Sequence, residues 1–411
     1  MSAGASNDSV SRIREVFLRA REFPDGAELE VFLEEACRGH PGLKARVAQM
    51  LAREATSSDF LEEGPIPSSA VGPSEDLVGT VIGRYRVIDR IGEGGFGEVF
   101  RVEQVEPVQR EWALKVIKPG MDSREVIARF ERERQALALM DHPNIALGHD
   151  AGTTDSGRPY FVMELARGTR VTTYCDQAQM PVSARLQLFR QICAAVQHAH
   201  QKGIIHRDLK PSNIVVITDP DSGDPVPKII DFGIAKSLQG PLTNRTLVTQ
   251  REVLLGTPAY MSPEQLALSG VDLDTRTDIY ALGVLLYELL SGVPPFDRDT
   301  LDHAALSEVE RIIREVEPLK PSDRVRALGP KEDEVAQTRM TVGPTLERTL
   351  RGDLDWIVMK AIEKDRDRRY QSAGEFSDDI GRYLGSIPVE ASPPGVFYRL
   401  GKFVQRHRIG V

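Results

Sequence analysis

The sequence has few cysteines, no excess of positive charge and no long apolar run, and each shortage excludes a class of protein. Its three cysteines, Cys37, Cys175 and Cys193, are widely spaced and form no CxxC or Cys/His pattern, which argues against a structural zinc site and suits a reducing compartment. The formal net charge of −9 over 411 residues gives no broad attraction to nucleic acid, so nucleic acid is not expected as a partner.

Signals for export and membrane insertion are also missing. The first ten residues lack the basic and apolar regions of a secretory signal. The longest apolar run, residues 281–290, is short and contains Glu288, so we expect a buried helix there and not a membrane span. The expected location is the cytoplasm, with membrane association only if the natural chain continues past Val411.

The first 80 residues predict a small helical region followed by a linker. Apolar side chains recur at helical spacing between residues 11 and 60, so residues 1–63 are expected to form short amphipathic helices. Residues 64–80 begin with a stretch rich in Pro, Gly and Ser that has little to bury, which is typical of a flexible linker. A chain of 411 residues exceeds what one hydrophobic core usually organises, so further folding units are expected.

Beyond this linker the hydrophobic pattern changes from strands to helices. Short β-type runs separated by glycines extend from Tyr85 to Val116 and predict an antiparallel sheet. After Met163 the pattern is mainly helical, so a strand-rich small lobe should precede a helix-rich large lobe. Within the large lobe, residues 308–317 predict a helix and residues 325–347 predict a loose surface insertion.

A glycine-rich segment lies between the first two predicted strands. Residues 91–99 read IGEGGFGEV, and their GxGxxG pattern is flanked by β runs, whereas a dinucleotide-binding fold requires a strand and a helix. Glycines let the backbone approach phosphate oxygens where side chains would collide. Taken alone the motif is weak, and a plain glycine-rich turn explains it equally well.

The next apolar strand contains a lysine that requires an anionic partner. An unpaired ammonium at Lys115 would be costly to desolvate. The following helix carries Glu133 on the same stripe as its apolar residues, whereas Glu131 points elsewhere. Periodicity therefore predicts a Lys115–Glu133 pair, and the alternative is a lysine and a glutamate that are each solvated separately.

The most informative run is HRDLKPSN at residues 206–213, which is followed by Asp231-Phe232-Gly233. At this separation, one carboxylate can lie near a hydroxyl and accept its proton. The other carboxylate and the amide can then bind a magnesium ion that is held by a nucleotide. Asp208 would accept or orient a hydroxyl proton, Lys210 would neutralise the moving phosphoryl group, and Asn213 and Asp231 would coordinate Mg²⁺. The alternative is a polar turn followed by an Asx turn, with no chemistry.

In order and spacing these motifs resemble the bacterial eukaryotic-like (Hanks-type) serine/threonine protein kinases over residues 85 to about 385. The resemblance implies an α+β bilobal protein kinase fold within residues 81–385, with a β-sheet lobe at 81–165, a helical lobe at 166–385 and a basic tail at 386–411. It implies transfer of the γ-phosphoryl group of ATP to Ser or Thr hydroxyls on proteins, with Mg²⁺ as the metal and Mn²⁺ as an alternative. The implied catalytic residues are Asp208, Lys210, Lys115 and Glu133.

The resemblance also assigns a nucleotide site. Met163 would be the gatekeeper, and backbone groups of Glu164 and Ala166 would pair with the adenine edge, although one more buried strand would explain the same residues. The implied ATP-binding set is Ile91, Gly92, Glu93, Gly94, Gly95, Phe96, Gly97, Val99, Ala113, Lys115, Met163, Glu164 and Ala166.

Residues 256–264, GTPAYMSPE, resemble the peptide-docking end of a kinase activation segment. Thr249 and Thr257 would belong to this segment, and Thr249 matches where bacterial members phosphorylate themselves, although an ordinary loop threonine is an equal interpretation. In the family, an arginine placed like Arg207 is held by that phosphate. Glu264 is expected to form a buried structural pair with Arg369.

Two other functions remain open from these residues. A small-molecule phosphotransferase of the same broad fold would lack the peptide-docking segment, and a pseudokinase scaffold usually loses Lys115, Asp208 or Asp231. Because all of these features are present, protein substrates and the chain itself are the expected partners. Membrane contact would be confined to the basic tail, residues 396–408, for which a solvated helix is an equal alternative.

Overall fold

The computed structural model describes Ala36 and residues 77–94, 97–106, 108–117, 140–231, 258–266 and 273–393. The unit that contains nearly all of them begins at Leu77. Apart from Ala36, which is helical, the predicted N-terminal helices lie outside the described residues, as do almost all of the predicted linker and the basic stretch 396–408. Those predictions remain predictions.

The small lobe is built on a six-stranded antiparallel sheet with the strand order β1-β2-β3-β4-β6-β5. The predicted β-type runs coincide with β2, β3 and β4, because β-branched and aromatic residues alternate along them. The strands are β1 (Val81–Ile82), β2 (Tyr85–Gly94), β3 (Gly97–Gln104), β4 (Arg110–Ile117), β5 (Gly148–Thr153) and β6 (Pro159–Glu164).

The two faces of β4 belong to different hydrophobic clusters. Trp112, Leu114 and Val116 pack into a core confined to the small lobe. Ala113 and Ile117 alternate with them and belong instead to the main core, which is formed mostly by large-lobe side chains. Because side chains alternate along a strand, Lys115 lies on the face that is directed toward the large lobe.

The large lobe combines a three-stranded sheet with helices. Its sheet has the order β7-β8-β9, with β7 (Thr169–Arg170), β8 (Ile214–Thr218) and β9 (Pro225–Ile229). The helices in the described residues are α1 (Val171–Gln177), α2 (Val182–Gln201), α3 (Pro263–Leu266), α4 (Arg276–Ser291), α5 (Arg298–His303), α6 (Leu306–Glu315), α7 (Pro321–Ala327), α8 (Glu332–Gln337), α9 (Gly343–Leu350), α10 (Asp353–Ala361) and α11 (Ala373–Leu384). No helix in the described part of the chain is long and apolar enough to cross a membrane.

Helix α4 is almost completely buried within the large lobe. Every residue of α4 except Arg276 and Glu288 is buried, which confirms the buried helix predicted from its apolar run. A Cβ at Gly283 would lie 2.6 Å from Ile362 and 2.8 Å from Ala361, so glycine permits the close approach of α10 to α4.

Two buried arginines bind the C-terminal end of α4, where the last carbonyl groups of a helix lack partners within the helix. Arg339 Nε donates to Leu290 O at 2.7 Å, and Arg185 Nη1 donates to Leu289 O at 3.2 Å. Both side chains are 1% exposed, and Asp176 forms ion pairs with both. Burial, together with the charge of Arg185, lowers the pKa of Arg339 to about 10. No pattern in the sequence predicted this network.

The segment 325–347 differs from its prediction as a loose insertion. It contains the end of α7, all of α8 and most of α9, and it buries Val325, Ala336 and Leu346 completely. Each helix is short and contributes only one or two apolar side chains to the core, so its polar face dominated the sequence pattern. The predicted helix at 308–317 is confirmed as α6, with its ends shifted by two residues.

Candidate active site

The glycine-rich segment forms the end of the β2–β3 hairpin. Gly94 pairs with Gly97 at its tip, and Gly92 lies opposite Val99. A Cβ at Gly97 would lie 2.4 Å from Val116 O, so only glycine allows β3 to approach β4 this closely. Ile91 and Glu93 lie on the same hairpin, whereas Gly95 and Phe96 lie outside the described residues.

The residues expected around the adenine ring come from three neighbouring strands. Val99 on β3 pairs with Lys115 on β4, and Ala113 on β4 pairs with Met163 on β6. Ala113 and Met163 are buried, whereas Ile91, which lies near the tip of the hairpin, is 48% exposed. The sheet therefore brings Val99, Ala113 and Met163 together beside Lys115.

Glu164 ends β6 and begins the connection to the large lobe. Its backbone N–H donates to Leu147 O at 2.9 Å, so this group is not available to a nucleotide. Its carbonyl therefore remains as the candidate contact to an adenine edge, together with the backbone of Ala166 two residues later.

Lys115 contacts the aspartate of the Asp-Phe-Gly motif directly. Its Nζ lies 2.5 Å from Asp231 Oδ1 and 2.6 Å from Oδ2, and the two side chains are 15% and 29% exposed. Asp231 has a φ of 60°, in the left-handed region that aspartate tolerates better than most residues. Glu133, the partner predicted from helical periodicity, lies outside the described residues.

The loop that contains Asp208 is held by its own polar residues. Lys210 Nζ lies 2.9 Å from Asp208 Oδ2. Asn213, in a 3₁₀ turn (Pro211–Asn213), donates through Nδ2 to Asp208 O at 2.8 Å and to Asp208 Oδ2 at 3.2 Å. The backbone N–H of Ile230 donates to Asn213 O at 2.8 Å, which joins this loop to the residue before Asp231. The loop and the Asp-Phe-Gly motif are therefore adjacent.

Asp278, at the start of α4, anchors the backbone of the same loop. Its two carboxylate oxygens accept the N–H groups of His206 and Arg207, both at 2.8 Å, and His200 Nε2 lies 2.7 Å from Oδ2. Burial raises the pKa of Asp278, but the hydrogen bond and charge of His200 outweigh burial and leave it below its ordinary value. Nothing in the sequence pattern identified His200 as a member of this group.

Replacing Asp278 with asparagine is expected to lower the stability of the fold and also the rate of the phosphoryl transfer that the resemblance implies. The amide offers one acceptor oxygen in place of two, so one buried N–H loses its partner at a cost of about 2–3 kcal/mol. Asp355→Asn is the matched control, because Asp355 accepts from Ser322 N at 3.0 Å and from its Oγ at 2.7 Å, and neither residue belongs to the predicted site. Urea unfolding should show both losses, whereas kcat per folded molecule should fall only for Asp278→Asn.

Glu264 and Arg369 form a buried bidentate ion pair in the large lobe. Arg369 Nη1 and Nη2 lie 2.7 Å and 2.9 Å from the two carboxylate oxygens, and the side chains are 0% and 8% exposed for Arg369 and Glu264. Thr277 Oγ1 donates to Glu264 at 3.0 Å. The next residue, Gln265, donates through Nε2 to Arg207 O at 2.8 Å and so links the peptide-docking segment to the Asp208 loop. Thr249 and Thr257 lie outside the described residues.

Comparison with known proteins places this arrangement in a family. The family model described as Protein kinase domain matches residues 85–371. The chain is similar to the serine/threonine-protein kinase PknB of Mycobacterium leprae, with 33% identity over 75% of this chain and 44% of that protein. It is also similar to the serine/threonine-protein kinase pkn3 of Myxococcus xanthus, with 33% identity over 77% of this chain and 56% of that protein.

Solved structures show the same architecture. The crystal structure of the Mycobacterium tuberculosis PknI kinase domain matches with a TM-score of 0.52 and 27% identity, over 74% of this chain and 98% of that chain. The predicted bilobal α+β fold is thereby confirmed. The chain spans only about half of the length of the curated relatives named above.

Proposed function

Because the chain belongs to the protein kinase family, in its bacterial serine/threonine (Hanks-type) branch, we propose that it transfers the γ-phosphoryl group of ATP to Ser or Thr hydroxyls on proteins. The observation that supports this most is the convergence of two acids from separate motifs. Asp231 forms an ion pair with Lys115 from the small lobe. Within its own loop, Asp208 forms an ion pair with Lys210 and accepts a hydrogen bond from Asn213. The backbone bond between Ile230 and Asn213 keeps the two acids on adjacent segments.

Each side chain has a distinct task in this proposal. Asp208 orients the substrate hydroxyl and accepts its proton, and Lys210 balances the negative charge that develops on the transferred group. Lys115 binds nucleotide phosphate oxygens, and Glu133 is proposed to hold it in place. The glycine-rich hairpin covers the phosphates, while Val99, Ala113 and Met163 surround the base.

The residues present also fit a divalent metal ion, which the family uses. Asp231 supplies carboxylate oxygens, and because Asn213 Nδ2 is bonded to Asp208, its Oδ1 is the atom left for a metal. Hard oxygen donors suit Mg²⁺, which we propose as the physiological ion, with Mn²⁺ as an alternative. When bound, the metal neutralises charge on the nucleotide phosphates.

The proposed function is tested by incubating the chain with γ-labelled ATP, Mg²⁺ and a generic Ser/Thr protein substrate, followed by phosphoamino acid analysis. We expect label on serine and threonine of the substrate and of the chain itself. The absence of protein-bound label, or the same amount of label with Asp208→Asn, would refute the proposal. Label confined to tyrosine would refute the assignment to serine and threonine.

Self-phosphorylation at Thr249 is proposed as the switch of activity. Arg207 precedes Asp208, and its buried Nε has no hydrogen-bond partner among the described residues, which leaves it able to bind a phosphate. Thr249→Val is expected to lower the rate on an external substrate about tenfold or more, since a bound phosphate adds one to three charge-assisted hydrogen bonds of about 1.5–3 kcal/mol each. Thr246→Val is the matched control, and mass spectrometry should locate phosphate on Thr249. An unchanged rate for Thr249→Val would show that the switch lies elsewhere.

The organisation of the chain around this unit is also a proposal. Residues 81–385 would form the kinase domain, preceded by a helical region at 1–63 and a linker at 64–80. We propose that the unit acts in the cytoplasm, where ATP and protein substrates are available. Any membrane contact would be made by the basic stretch 396–408 within the predicted tail at 386–411.

A further inference from the structure

An ion pair connects the start of the interlobe hinge to the strand that leads to Asp231. Lys228 Nζ, on β9, donates to Glu164 Oε2 at 2.7 Å. The side chains of Lys228 and Glu164 are 14% and 25% exposed, so water screens this pair less than it screens a surface ion pair. Lys228 precedes Asp231 by only two intervening residues, and Glu164 directly follows Met163.

The pair closes a ring of hydrogen bonds between three segments. Glu164 Oε2 also accepts the N–H of Leu147 at 3.3 Å, and Leu147 O accepts the N–H of Glu164 at 2.9 Å. The segment before Leu147 is bonded in turn to β9, because Ala146 N donates to Ile229 O and Ile229 N donates to Asn144 O, both at 2.9 Å. Glu164 is therefore fixed through its backbone and its side chain, and Lys228 supplies the only cationic contact that the structure records within this ring.

We infer that Lys228 is a positioning residue that sets nucleotide specificity by fixing the Glu164 peptide. This inference rests on the proposed function, in which the Glu164 carbonyl faces the purine edge. A carbonyl there accepts a hydrogen bond from the amino group of adenine but faces the carbonyl oxygen of guanine without a donor. A site built around a fixed acceptor rejects the wrong partner strongly, whereas a carbonyl that can turn away discriminates less.

The competing explanation is that the pair has no effect on the site. Many ion pairs at protein surfaces contribute nothing measurable. The Lys228–Glu164 pair differs from these in two ways. It is mostly buried, and its carboxylate also accepts a hydrogen bond from the backbone N–H of Leu147. Specificity separates the two explanations, since a structural pair would alter stability without changing the preference for adenine.

The test compares the binding of magnesium ATP and magnesium GTP to the full chain by calorimetry. Lys228→Met is expected to raise the Kd for ATP about tenfold while the Kd for GTP changes less than twofold. The ratio of the GTP Kd to the ATP Kd should therefore fall by up to about tenfold. Glu164→Gln is nearly isosteric and should lower this ratio by a similar factor. Lys228→Arg keeps the cation and should restore most of the preference.

Arg314→Met is the matched control, because Arg314 forms an ion pair of 2.6 Å with Glu310 on the outer face of α6, and neither residue belongs to the predicted site. It should leave both affinities at the native value. If Lys228→Met and Glu164→Gln keep the native ATP:GTP ratio, or if the two nucleotides weaken equally, the inference is overturned. If the native chain binds neither nucleotide, the proposed function itself fails, and the inference fails with it.

Discussion

Asp208→Asn is expected to reduce the rate of phosphoryl transfer by about 10²–10⁴-fold, the range typical for removal of a general base. Asparagine keeps the size of the side chain and can still contact Lys210, but it cannot accept the proton of a substrate hydroxyl. ATP affinity should stay near the native value, because Lys115 and Asp231 are proposed to hold the nucleotide and neither side chain is changed. The measurement is steady-state transfer from labelled ATP at saturating nucleotide.

The control for this substitution is Asp302→Asn. Asp302 is exposed on α5, and the described structure gives its side chain no part in the loop network around Asp208. It should leave kcat unchanged. If Asp208→Asn retained more than a tenth of the native kcat with intact ATP binding, Asp208 would not be the proton acceptor, and another group in the loop would have to be found.

Arg369→Met is expected to destabilise the large lobe by about 3–5 kcal/mol, because it removes one partner of a buried ion pair and leaves the other charged. The guanidinium is fully buried, and besides Glu264 it donates to the backbone oxygens of Glu363, Lys364 and Arg276. Methionine fills most of the volume but replaces none of these hydrogen bonds. Urea unfolding at pH 7 measures the loss. Arg326→Met, which breaks an exposed pair with Asp323, should cost less than about 1 kcal/mol.

The same pair makes stability depend on pH. Burial raises the pKa of Glu264, but the hydrogen bonds and charge of Arg369 outweigh burial, so the folded pKa lies below the ordinary value of 4.5. The unfolded chain therefore binds this proton first as the pH falls, and the stabilisation that is present at neutral pH is lost below about pH 4.5. The difference in stability between the native chain and Arg369→Met should accordingly shrink as the pH falls from about 5 to about 3. A difference that stays constant over this range would contradict the assignment to Glu264.

The features that the sequence predicted best are those that depend only on residues close together in the chain. The alternation along β2 to β4 fixed the sheet, and the apolar run of α4 fixed the buried helix, because each pattern repeats within a single element. HRDLKPSN and the glycine-rich segment could be recognised because their residues are neighbours in the chain. The structure brings four predicted site residues into two adjacent clusters, one of Lys115 with Asp231 and one of Asp208 with Asn213.

Contacts between distant residues could not be read in the same way. The resemblance assigned a role to the backbone of Glu164 but gave no partner for its carboxylate, and only the folded chain brings Lys228 Nζ within 2.7 Å of it. The sequence pattern assigned no role to Arg185 or Arg339, whereas in the structure the carbonyl groups at the end of α4 give both of them buried acceptors. Hydrophobic periodicity records which face of a helix is apolar, and it carries no information about which isolated charge a distant backbone will bind.

The direct contact between Lys115 and Asp231 has an electrostatic consequence for the proposed nucleotide site. Asp231 is only 29% exposed, and an uncompensated carboxylate there would repel a triphosphate. Because the ammonium of Lys115 lies against both carboxylate oxygens, the lysine is an internal counter-ion of Asp231. If the chain binds ATP and a metal ion as proposed, binding would amount to an exchange of ions, in which Lys115 would turn from this carboxylate to the phosphates and Asp231 would be left to hold the metal.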